Sequence, residues 1–317
     1  MTATATILKM PAQSKSDFAT GLAARVSPAT LIRRDEPLAK RTTLRVGGPA
    51  DFYVEPADEN DLAAVLKLCG ERALPFFILG RGSNLLVRDG GFRGVVICLA
   101  QPAFNKIEIT GEKLRCGAGA KLKNVAVEAR RNGLSGVEFL EGIPGSVGGA
   151  LRMNAGAMGG QTFDAVEVVR LMDFHGQISE LPPAKMAVTY RCSAMLKTHI
   201  ALGVIFKCHA APREEIEQRM KSYNEKRWES QPAAPSAGCI FKNPAAIPAG
   251  KLVDELGLKG TRVGGAVVSA EHGNFIVNDG KAAARDVLEL IEILKAKVKT
   301  ARGLDLQTEV EIIGESD

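Results

Sequence analysis

The chain has 317 residues, 45% of them hydrophobic and 24% charged, with a formal net charge of +5. That length predicts two or three compact units. Its longest apolar run, "GVVICLA" at 94–100, is too short to cross a bilayer, and its interspersed basic residues form no tract for nucleic acid.

Residues 1–30 show no convincing periodicity and are expected to be a loosely ordered extension, without the charged head and apolar core of a secretion signal. From Pro37 onward, strand and helix patterns alternate. "DENDLAAVLKLCGERAL" sets Leu62, Val65, Leu66 and Cys69 at helical spacing behind Asp58 as the N-cap. "PFFILG" (75–80) and "GVVICL" (94–99) read as buried strands around a glycine-rich loop. A helix over 121–132 buries Leu122, Val125, Ala126 and Ala129 and ends at Gly133. Strands follow at 165–172, 178–181 and 203–209, with "DFHGQ" as the hairpin turn between the first two. A charged helix over 213–227 carries Ile216, Met220 and Tyr223 on one face. The last third holds a helix at 249–256, the strand "NFIVN" and a helix over 281–300. Val287, Leu290, Ile291, Leu294 and Val298 stripe that long helix, and the strand "LQTEVEII" closes the chain. The class is α+β. Units are expected at 31–102, 103–213 and 214–317 after the loose residues 1–30.

Two stretches after strand patterns are dense in glycine and small polar residues: "GRGSNLLVRDGG" (80–91) and "GIPGSVGGALRMNAGAMGG" (142–160). Glycine lets the backbone approach a ligand closely, and successive amides in such loops form an anion-binding nest. Ser83, Asn84, Ser146 and Asn154 add side-chain hydrogen-bonding groups. Neither loop is a standard dinucleotide fingerprint or a P-loop, so tight ligand-free turns remain the alternative for each. A third stretch, "GCIFKNP" (238–244), sets a thiol, an ammonium and a carboxamide within five positions. The six cysteines (Cys69, Cys98, Cys116, Cys192, Cys208, Cys239) make no C-x-x-C pair and the four histidines are dispersed, so no metal site is expected. Scattered thiols suit a reducing cytoplasm.

Seven motifs in order carry a more specific signal. "TTLRVGGPADFYVEP" (42–56), "ILGRGSNLLVRDGGFRGVVI" (78–97) and the 142–160 loop come first. "TYRCS" (189–193), "PSAGCIFKNP" (235–244) and "AGKLVDELGLKGTRVGGAVVSAEHGNFIVN" (249–278) follow, and "LQTEVEIIG" (306–314) completes the set. In order and spacing they resemble the UDP-N-acetylenolpyruvoylglucosamine reductases over residues 37–314, in the shorter type II form that lacks a tyrosine-bearing substrate loop. The resemblance implies a two-subdomain FAD-binding domain of the p-cresol methylhydroxylase/vanillyl-alcohol oxidase type plus a C-terminal α+β substrate domain. Three positions depart from the family's habit: Arg41 stands where histidine is common, Met158 where an aromatic is frequent, and Cys239 where many members have serine.

The implied reaction reduces the enolpyruvyl ether of UDP-N-acetylglucosamine to UDP-N-acetylmuramate for peptidoglycan. NADPH reduces non-covalent FAD, and the flavin then delivers hydride to C3 of the enolpyruvyl group. Matching the motifs residue by residue implies Arg191 as the cation facing the developing enolate, Cys239 as proton donor to C2, and Glu309 as the active-site acid. Gly80, Arg81, Gly82, Ser83, Asn84, Leu85, Gly145, Ser146, Gly149, Asn154, Ala155 and Gly156 are implied FAD contacts. Tyr190, Lys242, Asn243, Lys251 and Lys259 are implied substrate contacts, the last two for the diphosphate. Small-molecule partners are expected, with no nucleic acid, no membrane insertion and a cytoplasmic monomer. Standing in a polar loop, Cys239 is also expected to be open to alkylation. The competing readings are an FAD oxidase on the same fold and a nucleotide-binding regulator without activity.

Overall fold

The computed structural model describes residues 12–316. Helix α1 (Ala12–Ala23) occupies part of the segment expected to be loose, whose residues 1–11 lie outside the described residues. Phe18 and Leu22, one turn apart, are buried, and Phe18 packs on Phe52 with ring centroids 4.6 Å apart. A single i,i+4 apolar pair in a small, polar run is too little periodicity to reveal a helix without its partner surface. Lys15 on the same helix reaches Asp51 at 2.7 Å, a fully buried carboxylate that Arg93 also holds at 2.8 Å.

Strands β1 (Leu31–Pro37), β2 (Pro49–Glu55), β3 (Phe76–Leu79) and β5 (Phe92–Cys98) form the first sheet in the order β1-β2-β5-β3, while β4 (Leu85–Val87) stands apart from it. β2, β5 and β3 run parallel, which requires a crossover, and helix α2 (Glu59–Glu71) supplies it between β2 and β3. Asp58 caps α2 by accepting from the amides of Asn60 and Asp61 at 2.9 and 3.0 Å.

The second sheet is antiparallel throughout. Its order is Ile178–Leu181, Val166–Asp173, His199–Lys207, β7 (Lys113–Gly117), β6 (Ile107–Thr110). Helices α3 (Leu122–Arg131) and α4 (Val147–Met153) belong to this unit. One core joins it to the first sheet: Phe52, Val54 and Leu62 cluster with Leu114, Val125 and Phe206.

Helix α5 (Arg213–Ser230) corrects the expected boundary at 213/214. Its buried Ile216 and Met220 join the core of the first two units rather than that of the third. Burying a side chain of this size is worth roughly 1.5–3 kcal/mol, so the helix stays where those two residues are covered. The third unit's own sheet starts only at Ser236, in the order Ser236–Cys239, Phe275–Asn278, Ala266–Val268, Arg262–Val263. Helices α6 (Ala249–Glu255) and α7 (Ala284–Arg302) complete its core, which also takes in Leu44, Val46 and Leu86 from the first unit.

The closing strand is shorter than the pattern suggested. Only Glu311–Ile313 forms a ladder, parallel to β4. Residues 306–310 instead run along the third unit, where Thr308 bridges Phe241 and the side chains of Leu306 and Val310 enter the core. The backbone thus changes partners halfway. Among the described residues no helix is long and apolar enough to cross a membrane.

Candidate active site

The two glycine loops meet beneath the junction of the three units. β3 leads into Gly80, where an added Cβ would fall 2.8 Å from the Ser146 hydroxyl. Gly82 sits at φ +61 with its Cα against the backbone of Arg41 and Thr42, so a side chain there would be both strained and blocked. The second loop is stitched to the start of α3: Leu122 N–H donates to Gly145 O at 3.2 Å and Val147 N–H to Ala120 O at 2.9 Å. Ser146 is buried, yet its hydroxyl does not cap the helix it precedes and lies between Gly80 and Gly149. Ser83 Oγ is 4.0 Å from the Cβ position of Gly145. These residues fit a flat cofactor held against backbone, with Ser83 and Ser146 as polar contacts at its edge. Arg81 and Gly80 are exposed, whereas Leu85 is buried in β4.

Asn154 serves its own loop. It adopts a left-handed conformation (φ +38), donates to Gln161 Oε1 at 2.8 Å and accepts from Phe163 N–H at 3.2 Å. Ala155 O accepts from the Thr162 amide and hydroxyl. Gly156 is different, because an added Cβ would lie 3.4 Å from Arg191 Nη1, so that glycine keeps space beside the guanidinium.

Arg191 occupies the turn of a short hairpin whose strands are Val188–Thr189 and Cys192–Ser193. Its φ of +55 is costly for a residue with a side chain, and such strain persists where surrounding contacts over-determine it. The contact here is to Glu309, whose Oε1 accepts from Arg191 Nε at 3.0 Å. Tyr190 is 53% exposed and lies beside the guanidinium, 5.0 Å from ring centroid to Cζ. Asn84, in the first glycine loop, donates to Glu309 O at 3.1 Å and accepts from Glu311 N–H. The acid is therefore anchored directly to the cofactor cradle.

"GCIFKNP" enters from the third unit. Ser236 and Cys239 pair with Val277 and Phe275, leaving one extra residue between them, and Gly238 at φ +74 accommodates that bulge. Gly238 also approaches the first glycine loop, its Cβ position 3.7 Å from Ser83 O. Cys239 lies close enough to Asn274, Glu309 and Arg191 for all three to act on its thiol. Burial pushes its thiol up to about 12, Glu309 adds to the rise, and Arg191 and Asn274 oppose it. The thiol is only partly exposed and burial favours its protonated form, both of which argue against ready alkylation. Burial likewise raises the Glu309 carboxyl above its ordinary range, opposed first by Arg191 and then by Lys242.

Lys242 thus belongs to the cluster. Its amide donates to Gln307 O at 2.9 Å, holding the two segments together. Asn243 is exposed and its carboxamide oxygen accepts from Ala249 N–H at 3.0 Å, so half of that group is spent on the start of α6. Lys259 pairs with Asp254 at 2.8 Å and lies near His272, which its charge and burial hold below the usual histidine range. Lys251 is not brought in: it is exposed and faces Glu255 at 3.8 Å on the same helix.

Asn274 is the residue that sequence reasoning missed. It is 2% exposed, accepts from Phe241 N–H and donates to Phe241 O, both at 2.8 Å, and its backbone oxygen takes Ile240 N–H. A polar residue opening the apolar strand "NFIVN" was the available signal.

Comparison with known proteins identifies the family. Residues 50–182 match the FAD binding domain family, and residues 231–313 match the UDP-N-acetylenolpyruvoylglucosamine reductase, C-terminal domain. A UDP-N-acetylenolpyruvoylglucosamine reductase from Clostridium botulinum (strain 657 / Type Ba4) is 44% identical over 285 residues, 89% of this chain and 92% of that protein. The crystal structure of the Thermus caldophilus UDP-N-acetylenolpyruvylglucosamine reductase superposes with TM-score 0.78 at 41% identity, covering 89% of this chain and 98% of that one. A Phl p 4 variant, a glucose oxidase, shares only the fold: TM-score 0.50 at 16% identity, over 62% of this chain and 44% of its own. The architecture is an FAD-binding domain built on two sheets, followed by an α+β C-terminal domain. The chain is an FAD-dependent oxidoreductase and belongs to the UDP-N-acetylenolpyruvoylglucosamine reductase family.

Proposed function

We propose that the protein reduces the enolpyruvyl ether of UDP-N-acetylglucosamine to UDP-N-acetylmuramate with NADPH, for peptidoglycan precursor synthesis in the cytoplasm. The observation that carries the reading is the convergence of Arg191, Glu309 and Cys239 beside the glycine cradle. FAD, bound without a covalent link since neither glycine loop holds a histidine, supplies the electron-transfer chemistry. Gly80, Gly82, Ser83, Asn84, Gly145, Ser146 and Gly149 would hold it, with Arg81, Leu85, Asn154, Ala155 and Gly156 shaping the loops around it.

Reduction at C3 of a double bond conjugated to a carboxylate builds negative charge on that carboxylate and its α-carbon. Arg191 spends Nε on Glu309 and keeps Nη1, beside Gly156, for this charge. A guanidinium follows a developing enolate without losing its proton. Cys239 then donates its proton to C2. Burial keeps the thiol in the protonated form that a donor needs. Glu309 orients Arg191 from the far side. Tyr190 and Lys242 line the substrate side, while Asn243, Lys251 and Lys259 are candidates for the nucleotide, Lys251 the weakest because of its outward position. The six unpaired cysteines suit a reducing compartment.

Arg191→Lys tests the assignment. A flexible point charge does not reproduce a paired-donor fork. Stopped-flow spectroscopy is expected to show flavin reduction by NADPH near the parental rate and reoxidation by the enolpyruvyl nucleotide slowed at least about 10²-fold. Equal slowing of both steps contradicts the role given to Arg191.

A further inference from the structure

Arg152 takes no part in the chemistry above, yet it contacts the segments next to both members of the catalytic pair. It is the penultimate residue of α4, the short helix within the second glycine-rich stretch. Nη1 donates to Leu196 O at 2.9 Å, and Nη2 meets Glu311 Oε1 at 2.8 Å. Leu196 lies in the turn Ala194–Lys197, which directly follows the hairpin bearing Arg191. Glu311 is two positions beyond Glu309 and opens the short ladder to β4. One planar fork therefore ties the backbone just after the Arg191 hairpin to the strand that begins two residues beyond Glu309. We propose that Arg152 is a positioning residue that fixes Arg191 and Glu309 against each other, an inference that rests on the function proposed above.

The competing view is an ordinary surface ion pair. Arg152 and Glu311 are 39% and 35% exposed, a range in which a pair contributes little to stability. Its removal should leave the fold intact, so a loss of rate reports on position. Misplacing reacting groups by about 1 Å can cost about 10²-fold in rate.

The test uses the FAD-loaded full chain in the variants R152Q, R152E, E311Q and R152E/E311R. Flavin is reduced with dithionite and reoxidised anaerobically by UDP-N-acetylglucosamine enolpyruvate. R152E is expected to slow reoxidation about 10-fold or more, with the effect on kcat larger than on KM and with FAD content unchanged. R152E/E311R should be faster than R152E, because the reversed pair again ties α4 to the strand. E311Q should show a smaller loss of the same kind, and it decides the matter if R152E fails to fold. Parental reoxidation in R152E and E311Q, or a double variant no faster than R152E, overturns the proposal. Hydrogen exchange supplies an arm independent of activity: R152Q should exchange faster in both 186–196 and 307–313. Faster exchange in only one segment, or in neither, overturns it. If the parent itself is not reoxidised by this nucleotide, the proposed function falls, and the exchange result alone judges the clamp.

Discussion

Cys239 shows how one side chain's role depends on its surroundings. The sequence places it in a polar loop, where a thiol would be open and reactive. The bulge at Gly238 instead turns it inward against Asn274, near Glu309 and Arg191, where burial holds it protonated with a pKa of about 12. A proton donor needs that state and a nucleophile does not. Cys239→Ala should leave flavin reduction near normal and slow reoxidation by substrate about 10²–10⁴-fold, with Cys239→Ser recovering part of the loss. Iodoacetamide at pH 8 should modify Cys239 more slowly than a free thiol, as peptide mass spectrometry can follow. Alanine turning over at the parental rate would leave Cys239 as packing only.

Linkage gives the same residue a signature in stability. Its folded pKa, about 12, exceeds the ordinary thiol value of 9.0, so between those values the unfolded chain binds fewer protons than the folded one. Stability therefore falls as pH rises through that window. The other buried thiols, Cys69, Cys116 and Cys208, are raised in the same way, so the informative quantity is a difference. Between pH 9 and 12 the parent should lose more in Tm than Cys239→Ser does. Glu309 has the same sign at lower pH: its carboxyl is raised, so it penalises the fold above its folded pKa, and the penalty fades as pH falls. Parallel Tm curves for parent and Cys239→Ser above pH 9 contradict the burial of the thiol.

Among the elements, the glycine loops make the sharpest demand on sequence. Gly80→Ala would push a methyl toward the Ser146 hydroxyl, 2.8 Å from the Cβ position, inside the cleft assigned to FAD. The variant should purify with less flavin, and adding Ser146→Ala should restore part of it, as flavin absorbance per chain measures. Unchanged occupancy in Gly80→Ala would move the cofactor away from this contact. Both loops were legible because their glycines are local requirements of the backbone. The amphipathic helices α2, α3 and α7 were legible for a similar reason, since each shows its buried stripe within its own sequence. What escaped were elements defined by their partners. Helix α1 is held by Phe52 and Asp51, α5 by a core built from residues far upstream, and residues 306–310 by Ile240 and Phe241. Asn274 and Arg152 act across 33 and 159 positions to Phe241 and Glu311, and no local pattern marks such pairs.

At the scale of the molecule, the site exists because three units are interlocked rather than strung together. Leu44, Val46 and Leu86 of the first unit complete the core of the third, and Asp89 accepts from the Ala284 and Arg285 amides at 2.8 Å to cap α7. Thr43 Oγ1 donates to Ser236 O at 2.6 Å, just ahead of the bulge that aims Cys239. The acid-bearing segment then touches every unit: Glu309 N–H donates to Ile240 O at 2.7 Å, its side chain meets Arg191, and its carbonyl takes the Asn84 amide. Separate segments of the chain thus deliver cradle, cation, thiol and acid to one place, which is the arrangement a two-step flavin reductase requires. Anaerobic double-mixing stopped-flow tests this account most directly. The purified protein, carrying FAD that acid precipitation releases, is first mixed with NADPH and then with UDP-N-acetylglucosamine enolpyruvate. Rapid bleaching of the flavin, followed by its full reoxidation with one equivalent of UDP-N-acetylmuramate formed, is the predicted result. Flavin that stays reduced in the presence of the nucleotide and recovers its colour only when oxygen is admitted would contradict it.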